Sequence, residues 1–232
     1  MLDLLIRGGT VVDGTGTPGV RADIGIMDGR IAAVGDIADS ATRVIAAPGL
    51  VVCPGFIDPH THYDAQLLWD PSATPSCFHG VTSVIMGNCG FSLAPIGDES
   101  DATYLGAMMA RVEGMSPAAL AEGVDWNWRS FADYLDRLDG NLGVNVGAMI
   151  GHCALRRAVM HDDSVTREAS DDEIAEMKGL LAAAIQAGSL GFSTTRSFTH
   201  NDGDGMPVPS RVASEAEVVA LAAAGGGARG AP

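Results

Sequence analysis

Pro54-Gly55-Phe56-Ile57-Asp58-Pro59-His60-Thr61-His62 follows the apolar run Leu50-Val51-Val52-Cys53. Residues 51–62 read together as a strand and its exit. Side chains at i and i+2 of a strand share a face. His60 and His62 therefore aim at one spot, at the carboxyl end of the strand, where β/α barrels build their sites. Paired imidazoles suit zinc and related metals. Asp58 has the same parity but lies deeper. It is a ligand, an acceptor that fixes an imidazole tautomer, or a capping carboxylate.

The rhythm of strand, polar loop and helix repeats downstream. Val81–Met86 is the second strand, Leu142–Ile150 the third and Ser189–Thr195 the fourth. Between the last two lies the clearest helix. Ser170 is its N-cap, with Asp171, Asp172 and Glu173 in the first turn, where the dipole favours anions. Ile174, Met177, Leu180, Leu181 and Ile185 form its apolar stripe, and Gly188 ends it. Ser130–Leu138 is a shorter helix. Such alternation predicts parallel β/α units, an α/β fold.

Upstream, residues 1–50 read as a small β module. Ala22–Met27 and Arg30–Val34 flank Asp28-Gly29, a hairpin signal because both turn residues accept positive φ. The expected division is a β module over 1–50, the β/α part over 51–224 and an unstructured tail over 225–232. That Gly-rich tail reads as a broken end, from truncation or a reading-frame slip.

Two further stretches carry chemistry. Gly87-Asn88-Cys89-Gly90 lies just past the second strand, where a thiolate faces the same mouth as His60 and His62. The alternative is an inert buried thiol. Gly151-His152-Cys153 follows the third strand. His152 is a ligand, a substrate contact or a loop histidine, with substrate contact the preferred reading. Arg196 follows the fourth strand, and its fixed charge meets an anionic substrate group or a surface carboxylate. Lys178, the single lysine, falls inside the long helix and cannot act as a carboxylated metal bridge. Cys89 is the natural bridging anion. His79, Cys53, Cys77 and Cys153 read as structural, and His161 and His200 as loop residues.

Composition excludes several classes. The chain has 232 residues, with 14 Lys+Arg against 29 Asp+Glu and a net charge of −15. That charge disfavours nucleic acid and anionic membrane surfaces. An apolar share of 47% argues against disorder. The four cysteines have no framework spacing and the N-terminus no basic leader, so a reduced, cytoplasmic setting is expected. No strand leads through a Gly-x-Gly-x-x-Gly into a helix, since Gly14-x-Gly16-x-x-Gly19 runs into another strand, and no Walker loop follows a strand, which leaves nucleotide binding unsupported.

With these motifs in place, the chain resembles the N-terminal part of the amidohydrolase superfamily, in particular the D-aminoacylase (N-acyl-D-amino-acid deacylase) group. The likeness rests on Pro54–Gln66, His79–Pro95, Gly151–Arg156, Gly188–Pro209 and the opening Ile6–Gly14. It implies a zinc-dependent (β/α)₈ barrel, here its first four strands, with a small β-sandwich built from both chain termini. One or two zinc ions, with His60, His62 and Cys89 as ligands, are implied. So is hydrolysis of the amide of a small N-acyl-D-amino acid. The family's further histidines and its catalytic aspartate come after later strands, so no catalytic acid or base is assigned within these residues. The chain alone is therefore expected to be inactive, or to need a complementing C-terminal half. A non-catalytic fragment and a cyclic-amide hydrolase of the same superfamily are the alternatives.

Overall fold

A computed structural model describes residues 1–226. The chain divides into two compact units, one over Met1–Gly55 and the other from Phe56 onward.

The first unit is a five-stranded sheet. β1 (Leu2–Val11), β2 (Val20–Met27), β3 (Arg30–Gly35) and β4 (Ala41–Ala46) lie in the order β3-β2-β1-β4. β5 (Val51–Val52) runs parallel to β1, with Thr10 opposite Val51. The β2–β3 turn has the expected geometry, with φ of 52° at Asp28 and 70° at Gly29. Leu2, Leu5 and Ile37 form its small core.

Two sequence expectations change at this point. Residues 51–62 are not one strand. Val51–Val52 pairs with β1 in the first unit, while β6 (Phe56–Asp58) opens the second. Pro54 and Gly55 cause the break, since proline has no ladder N–H and glycine weakens a strand. The first unit accordingly extends past residue 50.

In the second unit β6 pairs in parallel with β7 (Val81–Met86), and β7 with β8 (Asn145–Ala148). β9 (Ile150–Gly151) pairs in parallel with β10 (Phe192–Ser193). The predicted third strand is thus split at Met149. Its N–H still donates to Met86 C=O, but the next N–H, of Ile150, donates to Gly191 C=O. The backbone changes partner from β7 to the fourth strand there. β7 buries Val84 and Met86, whereas Ser83 and Ile85 are only part-buried.

Helices cover this mixed α/β unit. Those of the sequence reading are α3 (Phe131–Leu138), capped by Ser130, and α5 (Asp171–Gln186), capped by Ser170. In both, the serine and the third helical residue cap each other reciprocally. α1 (Glu99–Val112), α2 (Pro117–Gly123), α4 (His152–Met160), α6 (Pro209–Val212) and α7 (Glu215–Gly225) complete the set. Gly225, expected in the tail, ends α7, and Gly226 is its C-cap; the remaining six residues of that expected tail, 227–232, lie outside the described residues. One continuous core runs through the unit, with Met86, Phe91, Leu93, Met108, Trp128, Tyr134 and Leu155 almost fully buried. Among the described residues no helix is long and apolar enough to cross a membrane.

Candidate metal centre

β6 ends at Asp58, so the two histidines sit on the loop leaving it. Thr61, between them, is buried. Its N–H and hydroxyl both donate to Ile85 C=O on β7, at 3.0 and 2.8 Å. Pinning the middle residue fixes the neighbours on either side. Asp58 accepts from the main-chain N–H of His60 at 3.2 Å, which makes it a cap of the loop. It does not hold an imidazole nitrogen there.

Cys89 leaves β7 in a turn of left-handed residues. φ is 73° at Gly87, 55° at Cys89 and 81° at Gly90. Glycine is required at 87, because a Cβ there would lie 2.0 Å from Met149 O. Three side chains hold the turn. Asp64 accepts from Gly87 N–H at 3.1 Å. Asn88 donates to Thr61 C=O and Ile85 C=O, tying the turn to the histidine loop. Ser193, at the end of β10, accepts from Gly90 N–H and donates to Gly87 C=O.

The outcome is a cluster. His60, His62 and Cys89 each offer one ligand atom, and these atoms lie within 4.8 Å of one another. His60 Nε2 is 3.2 Å from Cys89 Sγ. Burial, with His60 and His200 nearby, holds His62 down at about 4, so its ring is neutral with a lone pair to give. Burial pushes the Cys89 thiol up, and the Glu113 carboxylate adds to this. A thiol in that position becomes a thiolate only with a positive charge beside it. Nδ1 of His62 is buried without a hydrogen-bond partner. Two imidazoles and a thiol form a donor set that fits a divalent cation of borderline softness.

The other sequence candidates lie elsewhere. His152 opens α4 fully buried. Its Nδ1 is 2.8 Å from Thr194 Oγ1 and its Nε2 2.8 Å from Glu217 Oε1. With both nitrogens engaged by the protein, the ring has none free to meet a substrate in this structure. Arg156, one turn on, is also fully buried and ion-paired to Glu217. Arg196 is exposed and donates to Ala213 C=O at 3.4 Å. Lys178 is an exposed residue of α5. His200, read as a loop residue, has its ring 5.1 Å from that of Phe91, which lies 5.9 Å from His62.

Sequence reasoning missed Thr61, Asp64, Asn88, Glu113, Ser193 and Glu217. Thr61 and Asn88 stood inside the quoted motifs. Asp64 and Ser193 also lay inside quoted stretches, whereas Glu113, which faces His62, and Glu217, which pairs with His152 and Arg156, come from distant positions and carried no local signal.

Comparisons with known proteins bear on this geometry. Residues 43–230 match the amidohydrolase family. The chain is 45% identical over 194 residues to a D-aminoacylase of Alcaligenes xylosoxydans xylosoxydans, covering 83% of this chain and 37% of that protein. It is 39% identical over 224 residues to an N-acyl-D-glutamate deacylase of the same organism, covering 95% and 41%. Among solved structures, a D-aminoacylase studied for its binuclear metal centre superposes with a TM-score of 0.77 at 41% identity, covering 96% of this chain and 42% of the other. The N-acyl-D-glutamate deacylase of Bordetella bronchiseptica, solved with zinc and a phosphonate mimic of the tetrahedral intermediate, gives 0.76 at 34%, covering 96% and 42%. The chain thus spans about two fifths of the length of these relatives.

Proposed function

Because this chain belongs to the amidohydrolase family, we propose that it supplies the first metal ligands of a zinc-dependent hydrolase that cleaves the amide bond of N-acyl-D-amino acids. The observation that carries the reading is the meeting of His60, His62 and Cys89 at the carboxyl ends of two adjacent parallel strands. Relatives named D-aminoacylase and N-acyl-D-glutamate deacylase give the substrate class. Parallel pairing of β6 with β7, β7 with β8 and β9 with β10 supports reading this unit as the first four strands of a (β/α)₈ barrel. All four cysteines are free, which supports a reducing, cytoplasmic setting.

Imidazole and thiolate donors favour zinc, as one ion or two, which His60, His62 and Cys89 would help to hold. Bound zinc supplies Lewis acidity and activates water at neutral pH. The chain's own residues hold and orient. His60 and His62 give ring nitrogens. Thr61, Asn88 and Ser193 fix the two ligand loops against each other. Proton transfer to the leaving amine needs a carboxylate. In this reading the carboxylate and the remaining ligands come from the part of the fold that the relatives have and this chain does not span. The 232-residue chain alone is then inactive and is completed by a C-terminal half.

A chimera joining this chain to the remainder of a D-aminoacylase tests the reading. With zinc, it is expected to release free amine from N-acetyl-D-amino acids, while the unjoined chain does not. Cleavage of cyclic amides alone, or no turnover from a folded, zinc-loaded chimera, would overturn the assignment.

A further inference from the structure

Glu113 sits where a helix disfavours a carboxylate. It is the C-terminal cap of α1, and Gly114, with φ of 66°, turns the chain away. The C-terminus of a helix carries partial negative charge, so an anion there is destabilised. The side chain is also four-fifths buried, and burial raises its pKa. Arg111 stands in the same last turn, and among the described residues no ion pair joins it to Glu113. Its partner lies across the fold: Oε1 is 3.6 Å from Nδ1 of His62, itself mostly buried and lacking any hydrogen bond. That separation is longer than a hydrogen bond, and such contacts often tighten only when a site is loaded.

We propose that Glu113 is a positioning residue of the metal centre, accepting the Nδ1–H of His62 and so leaving the Nε2 lone pair for a cation. The inference rests on the metal reading of the cluster. Histidine ligands generally give their second N–H to a carboxylate or carbonyl, which fixes tautomer and ring angle and raises ligand basicity. The sequence offered Asp58 for this task, but Asp58 is engaged with the main chain of His60. Among the described residues, Glu113 is the carboxylate that faces an imidazole of this cluster. Its charge adds a long-range attraction for a cation between His60 and Cys89, the thiol that already feels it.

The test uses the 232-residue chain. Long-range ¹⁵N–¹H correlation spectra of the metal-free protein should show His62 protonated on Nδ1. Cobalt(II) titration should give a thiolate-to-cobalt absorption in the wild type. In Glu113→Ala cobalt should bind about 10–100-fold more weakly, with Glu113→Gln between the two. A His62 protonated on Nε2, or an E113A variant that binds cobalt as tightly as wild type, would overturn the role of Glu113. Should E113A fail to fold, the wild-type tautomer decides by itself. A wild type with no thiolate–cobalt band would sink the metal reading itself, and the inference with it.

Discussion

Ser193 and Gly90 are joined by a 2.9 Å hydrogen bond from the Gly90 N–H to the Ser193 hydroxyl, and the same hydroxyl donates to Gly87 C=O. One side chain at the end of β10 thereby closes both ends of the turn that carries Cys89. Cys89, at φ of 55°, is the one non-glycine residue of the turn held in the left-handed region. Ser193→Ala removes the clasp and leaves the Gly90 N–H unpaired. The expected cost is about 1–3 kcal/mol, read from urea unfolding. Alkylation of Cys89, followed by peptide mass, should become faster; an unchanged rate would show that the turn holds without Ser193.

Gly87 tolerates no side chain. A Cβ would meet Met149 O, and the left-handed backbone would be strained as well. Gly87→Ala is expected to cost about 4 kcal/mol or more. A melting temperature within a few degrees of wild type would contradict this close approach.

Zinc should stabilise the chain through the three ligand side chains. Binding to the folded state alone gives about 2.7 kcal/mol when free metal is a hundred times the dissociation constant. Calorimetric melting with zinc and then with a chelator should show that gain and its removal. Cys89→Ser and His60→Ala should each abolish most of it. A zinc shift that survives in both variants would place the metal elsewhere.

The buried ion network between α4 and α7 should be intolerant of losing one partner. Arg156 and Glu217 are both fully buried. Glu217→Gln leaves the guanidinium facing a neutral amide, at an expected cost of about 3–5 kcal/mol. Urea denaturation measures it; a loss below about 1 kcal/mol would mean that Arg156 finds another counter-charge.

His152 should make stability depend on pH. Burial holds its pKa below the usual 6.5, although Glu217 pulls the other way. Arg156 already neutralises that carboxylate, so burial wins. The unfolded chain takes up a proton near 6.5 and the folded chain only at lower pH. Stability is then fully present above 6.5 and lost as pH falls toward the folded value. His62, held at about 4, has the same sign. Buried Asp64, raised to about 7, has the opposite one. The informative quantity is the difference between wild type and His152→Gln, followed by melting from pH 7.5 to 5. The variant's curve should be flatter on the acid side, and parallel curves would exclude the effect.

Where a feature is local, the sequence shows it. Val81–Met86 is a strand to the residue because four of its six side chains, Val81, Thr82, Val84 and Ile85, are β-branched and glycines flank it. The Ser170–Glu173 capping box and the Asp28-Gly29 hairpin lie within four residues of chain. His60, His62 and Cys89 were legible as a set because each stands at the end of an apolar run. Features that depend on distant partners were not legible. α4 reads as polar because of Arg156 and Arg157, yet both are buried, paired with Glu217 and Asp101 from other helices. α1 had a readable start at Asp98, with Asp101 completing the capping box, in a segment to which the sequence reading assigned no element. Glu113 is one carboxylate among many until the fold sets it against His62.

The clasp on the cysteine turn has a consequence for the order of assembly. Ser193 follows Gly90 by 103 residues. At a synthesis rate of about 5–20 residues per second, roughly 5–20 s pass between their emergence from the ribosome. Throughout that interval the nascent turn has a cysteine to offer and no hydroxyl to shape it. In the metal reading proposed above, ion capture waits until Ser193 has cleared the ribosome, so nascent chains stalled before codon 193 and well beyond it should differ in metal uptake.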